Sequence, residues 1–188
     1  MTSPAAVVPS ISGISALDCF AVMEQLVGSA AFANGRRRLP AEVQRELDSI
    51  SAVSWVSNSA VNQLMDEVAR AAERDPEELI DQTVRISAER MFKTVWRVLL
   101  RMTSDEALIK RTPMFYARSR NTGQVASRVL GPGRSEVLLT AWPDVSDRTL
   151  RTIGIGIQCV VELAGRQQVR MSYSRTADGG RYEIRWKD

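Results

Sequence analysis

Apolar residues Leu17, Phe20, Ala21, Met23 and Val27 recur at the spacing of an amphipathic helix over residues 14 to 33, which Asn34-Gly35 is expected to stop. Leu39-Pro40-Ala41-Glu42 reads as a second start, with proline in the first turn and Val43, Leu47 and Ile50 on one face. After a connection opened by Trp55, Ser57-Asn58-Ser59 caps a third helix over residues 60 to 73, striped by Val61, Leu64, Met65, Val68 and Ala72. Asp75-Pro76-Glu77-Glu78 opens a fourth, because aspartate caps and acids suit the positive end of a helix. Its stripe of Ile80, Val84, Met91, Val95, Val98 and Met102 is widened by Phe92, Trp96, Leu99 and Leu100. This longest helix is expected at the centre of a helical layer. A short helix follows Ser104 and ends before Pro113.

Beyond Pro113 the period changes from 3.6 to 2. Phe115, Ala117 and Ser119 alternate with Tyr116, Arg118 and Arg120, which predicts a strand, and Asn121-Thr122-Gly123 predicts a hairpin turn. Residues 124 to 130 form the return strand, and Gly131-Pro132-Gly133 turns the chain into another over residues 135 to 142. A helix over residues 147 to 164 buries Leu150, Ile153, Ile157 and Val160 or Val161. Gly154 and Gly156 weaken it by roughly 1 kcal/mol each, so close packing on the sheet is the expected compensation. In the closing hairpin Val169, Met171 and Tyr173 oppose Arg170, Ser172 and Ser174; past Asp178-Gly179-Gly180, Tyr182, Ile184 and Trp186 oppose Arg181, Glu183, Arg185 and Lys187. Such alternation means one wet and one buried face. The pattern predicts an α+β fold: an N-terminal helical layer packed on a C-terminal antiparallel sheet, with one helix inserted before the final hairpin. Residues 1–12 read as a disordered tail and 13–188 as one domain, helical over about 14–110 and sheet over about 114–188.

Composition narrows the chemistry. The 188 residues are 44% hydrophobic and 25% charged, as in ordinary globular chains. No apolar run approaches the roughly 18 residues of a membrane span, and the first ten residues lack a signal-peptide pattern, so the expected compartment is the cytoplasm. There is no histidine, which removes Ser-His-Asp and Cys-His nucleophile systems, HExxH zinc sites and proximal-histidine haem. The two cysteines, Cys19 and Cys159, lie in apolar helical patterns and read as small buried hydrophobes, too few for a four-ligand zinc site. Gly131-Pro132-Gly133 has neither the length nor the lysine of a P-loop. No catalytic residues, metal or cofactor are expected, and the chain does not read as an enzyme.

Several segments resemble a known scaffold. They are Met91-Phe92-Lys93-Thr94-Val95-Trp96, Arg111-Thr112-Pro113-Met114-Phe115-Tyr116 leading to Asn121-Thr122-Gly123, Gly154-Ile155-Gly156, and Tyr182-Glu183-Ile184-Arg185-Trp186. From about Leu39 onward the order is similar to haem nitric-oxide/oxygen-binding sensors, four-vinyl-reductase-type ligand-binding domains and transport-particle tethering subunits. It looks closest to a myxobacterial family of unknown function distantly related to those sensors. The resemblance implies a sensory or scaffolding module that pairs with itself. The haem sensors carry a proximal histidine and a Tyr-x-Ser-x-Arg motif; here there is no histidine, and Tyr116 to Arg120 and Tyr173 to Arg175 have different spacing. The scaffold is what the resemblance retains.

Two sites are candidates. Phe92, Trp96, Met102, Phe115 and Trp186 are the large side chains expected either to line a ligand space between helices and sheet or to fill the core. Arg170, Arg181, Arg185 and Lys187 surround Glu183 on the wet face of the last hairpin, and Arg118 and Arg120 extend the group if the first hairpin faces the same way. These cations suit a carboxylate, phosphate or acidic partner, or a solvated face that discourages edge pairing. Nucleic acid is not expected, because no aromatics interleave with the charges. The sequence supports a non-enzymatic regulatory or protein-interaction module forming a homodimer, with a further protein partner. The alternative is a non-haem small-molecule sensor binding an apolar or anionic ligand between helices and sheet.

Overall fold

A computed structural model describes residues 7–91 and 103–187. The elements run β1 (Ser10–Ser12), α1 (Gly13–Val27), α2 (Ser29–Arg37), α3 (Ala41–Asp48), β2 (Trp55–Ser57), α4 (Asn58–Ala71) and α5 (Pro76–Met91). They continue as α6 (Asp105–Lys110), α7 (Thr112–Ser119), β3 (Gln124–Gly131), β4 (Arg134–Thr140), α8 (Asp147–Leu163), β5 (Gln167–Thr176) and β6 (Gly179–Lys187). The protein is α+β, with its four-stranded antiparallel sheet after the first helices, as the pattern predicts. The chain divides into two compact units, residues 1–79 with 118–122 and residues 80–117 with 123–188.

In the first unit β1 pairs antiparallel with β2, Ile11 opposite Val56. The tail expected over residues 1–12 therefore does not reach Ser10. The expected first helix is two: Gly28, at φ 83°, separates α1 from α2. Glycine enters that left-handed region without a Cβ penalty. Asn34-Gly35 does not stop α2, because Gly35 is a packing position. A Cβ there would lie 2.6 Å from the Val68 Cα, so the missing side chain is what seats α2 against α4. Ser57 caps α4 through its Oγ, which accepts from the Ala60 N–H at 3.1 Å, and its own N–H donates to Glu46 at 2.7 Å. Met23, Val22, Val56, Leu64 and Val68 are fully buried beneath these helices.

The second unit corrects the strand expected at Phe115 to Arg120. Residues 112–119 are helical instead, and Asn121-Thr122-Gly123 leads out of α7 into β3 rather than turning a hairpin. Pro113 sits in the first turn, where its missing N–H costs nothing, and the Phe115 N–H donates to Arg111 O at 3.2 Å. Adjacent Phe115 and Tyr116 both pack on the core from α7, which a helix face allows and a strand does not. The sheet therefore begins at Gln124 and runs β3-β4-β6-β5. The α8 helix matches expectation, and Ser146 caps it by accepting from the Thr149 N–H at 3.1 Å. The expected long helix is helical from Pro76 to Met91; Phe92, Trp96 and Met102 lie outside the described residues.

Candidate functional site

The inner face of the sheet carries Val137 and Leu139 from β4, Met171 and Tyr173 from β5, and Tyr182, Ile184 and Trp186 from β6. The α8 helix lies on it. A Cβ at Gly154 would fall 2.4 Å from the Met171 Cε, so the expected close packing is real there; at Gly156 nothing lies within 4 Å. At the other end of the face Ser127 Oγ donates to Ile109 O at 2.6 Å, which holds α6 on β3. Arg166, just past the end of α8, ties that helix to α6. Its guanidinium bonds Asp105 at 2.6 and 2.8 Å, the Thr103 carbonyl at 2.8 Å and the Ala164 carbonyl at 2.7 Å. The α5 helix adds ion pairs to α8, Arg85 with Glu162 at 2.8 Å and Asp81 with Arg151 at 3.1 Å.

Two polar atoms stand out in this apolar layer. Ser135 is 0% exposed and Trp186 6% exposed, yet Ser135 Oγ and Trp186 Nε1 have no hydrogen-bond partner among the described residues. Ser135 faces Ile184 in the ladder and Trp186 follows two residues on, so the two side chains are diagonal neighbours on one face. Trp186 and Phe115 both belong to the core of this unit, the first within it and the second packed against it. Ser135 escapes sequence reading, because its burial depends on which face of β4 turns inward.

The outer face is charged. Glu136, 4% exposed, is held by Arg128 at 2.8 Å and Arg181 at 3.4 Å, and Glu183 by Arg134 at 3.4 Å and Arg185 at 3.6 Å. Arg170 and Lys187 also lie here by register, exposed and with no acidic partner among the described residues. The first hairpin that was to carry Arg118 and Arg120 is not formed: Arg118 is on α7, and Arg120 bridges to Ile11 and bonds Asn58 at 3.4 Å. Sequence reading missed Arg128, Arg134 and Glu136, which local alternation cannot place beside β6 without the register.

No protein-family model and no characterised protein matches the chain. Solved structures do match in shape. The chain is similar in fold to H-NOX domains. An Fe(II) unliganded mutant of the H-NOX protein from K. algicida superposes with a TM-score of 0.69 at 11% identity, covering 94% of this chain and 97% of that one. A mutant of T. tengcongensis H-NOX gives 0.62 at 12% identity, covering 94% and 98%. An oxygen-binding H-NOX domain related to soluble guanylate cyclases, in its oxygen complex, gives 0.60 at 14% identity, covering 94% and 95%. The expected likeness to the fold of haem nitric-oxide/oxygen-binding domains therefore holds.

Haem held by imidazole does not fit this sequence, which has no histidine. Nor is Cys159 a ready thiolate ligand. It is 1% exposed on α8, and burial pushes its thiol up to about 11 against the opposing pull of Arg85. Among the described residues no group of three histidine, cysteine or acidic side chains is placed to hold a metal ion, and no helix is long and apolar enough to cross a membrane.

Proposed function

We propose that this chain is a ligand-sensing rather than catalytic domain, which takes a small non-haem molecule against the inner face of its sheet. The supporting observation is the pair Ser135 Oγ and Trp186 Nε1, buried on one face of an apolar layer without partners among the described residues. A buried donor left unmade costs about 1–3 kcal/mol, and native folds rarely tolerate two neighbouring ones. A ligand with a hydrogen-bond acceptor and an apolar body removes both costs. The fold similarity favours this sensor reading over a self-associating module, since one of the matched structures is an oxygen-binding domain in complex with its ligand.

Native mass spectrometry of freshly purified protein, beside a denatured control, tests the reading. The expected result is a mass excess that disappears on denaturation and is lost in Trp186→Phe, which keeps an aromatic ring and deletes the N–H. A clean apo mass, with unchanged thermal midpoints across a panel of small carbonyl and carboxylate compounds, would overturn it.

A further inference from the structure

The outer face of the sheet holds an arrangement its own stability does not call for. Arg134 on β4 lies directly opposite Arg185 on β6, and Arg185 lies directly opposite Arg170 on β5. Three arginines thus stand in one row across three strands, although like charges in direct cross-strand register repel. Among the described residues only Glu183 reaches any of them, pairing with Arg134 and Arg185 at 3.4 and 3.6 Å. The other carboxylate of the face, Glu136, is already held by Arg128 and Arg181. Edge protection does not explain the row. In the order β3-β4-β6-β5, Arg134 and Arg185 occupy the two central strands. With Lys187, six cations share this face with two carboxylates.

We propose that this face docks an acidic helix of a protein partner, its carboxylates opposing the Arg134–Arg185–Arg170 row. The spacing selects a helix. Adjacent strands lie about 4.8 Å apart, so the row presents a guanidinium about every 5 Å over roughly 10 Å. Acidic residues at i, i+4 and i+7 of a helix stand about 5–6 Å apart along one face and span the same distance. An extended segment repeats same-side residues every 6.6–6.8 Å or so and drifts out of step. The Arg134 and Arg185 guanidiniums, already aimed by Glu183, donate to a carboxylate with little further ordering, and the exposed Arg170 is free to turn toward one. Duplex or single-stranded nucleic acid finds neither a groove-entering helix nor a stacking aromatic here, since arginine, glutamate, serine, alanine and Leu138 make up the paired central rows of the face.

The test uses the full chain and a dye-labelled, alanine-rich peptide of about 20 residues, long enough to hold a helix, with glutamates at i, i+4 and i+7. A second peptide has the same composition with its glutamates spread around the helix. Anisotropy titrations should show the aligned peptide binding at least about fivefold tighter, and weakening as salt rises. Arg170→Gln should cost about threefold and the Arg134→Gln/Arg170→Gln pair about tenfold, while Arg36→Gln/Arg37→Gln/Arg38→Gln leaves affinity unchanged. Arg170 makes no ion pair among the described residues, so its replacement keeps the fold testable by circular dichroism. Equal affinity for the two peptides overturns the proposal, as does a double variant that binds like the parent. So does tighter binding to duplex DNA, or to phosphatidylserine vesicles, than to the aligned peptide. Loss of the inner-face ligand would leave all these outcomes unaffected.

Discussion

Two glycines of α8 offer a sharp check on how this helix meets its sheet. Glycine in a helix interior costs about 0.8–1.0 kcal/mol relative to alanine, so Gly154→Ala and Gly156→Ala carry the same local gain. Their surroundings differ. At Gly156 a Cβ meets nothing within 4 Å, so the full gain of about 1 kcal/mol should appear, raising the thermal midpoint by about 2–4 °C for a chain of this size. At Gly154 the Cβ would lie 2.4 Å from the Met171 Cε, 3.0 Å from its sulfur and 3.5 Å from the Tyr182 ring. The Met171 methyl is the free end of a flexible, half-buried thioether chain that can swing aside, so the contact offsets much of the helical gain without reversing it. The expected outcome is a midpoint for Gly154→Ala that is unchanged or rises less than that of Gly156→Ala. Met171→Ala should restore tolerance to Gly154→Ala, with a coupling of about 1 kcal/mol in a double-mutant cycle. Thermal and urea transitions followed by circular dichroism read both effects. If Gly154→Ala stabilises as much as Gly156→Ala, α8 does not sit on Met171 and Tyr182 as described.

Arg166→Ala should lose about 2–3 kcal/mol, because it strips a largely buried guanidinium from Asp105 and from the carbonyls of Thr103 and Ala164; a urea midpoint within error of the parent would refute the clamp. Cys159 should resist iodoacetamide at pH 8 until the protein unfolds, since burial raises its thiol to about 11. The folded thiol binds its proton more tightly than an ordinary one near 9.0, so this group's contribution is whole below about pH 9 and is lost as pH rises through about 11. Cys159→Ala should therefore lose less stability between those values than the parent, as read by urea melts at each pH.

Much of this architecture is legible locally. The alternation of Val169 to Ser174 and of Tyr182 to Lys187 specifies the last hairpin, and the stripe of Leu150, Ile153, Ile157 and Val160 or Val161 specifies α8, whose Ser146 cap only the structure shows. Phe115 to Arg120 misleads, because a six-residue alternation also fits nearly two turns of helix, and the packing of both Phe115 and Tyr116 decides between them. Ser10–Ser12 carries only one apolar residue, and its partner strand begins over forty positions later, which no local pattern records. The candidate sites depend on register still more. Arg185 is visible on the wet side of β6, but Arg134 beside it and Ser135 beneath it follow from the pairing of β4 with β6.

The N-terminal strand has a consequence for how the chain acquires its structure. The Ser10 N–H donates to Asn121 Oδ1 at 2.8 Å, Asn121 Nδ2 donates to Val8 O at 3.1 Å, and Ile11 bridges Arg120. Residues more than a hundred positions apart thus close the first unit, while the intervening segment, residues 80–117, belongs to the second. During synthesis the first unit waits for Thr122 to leave the ribosome before its seam closes, and loop closure over that length slows folding. Neither unit is a continuous stretch of chain, so no single cut yields both intact.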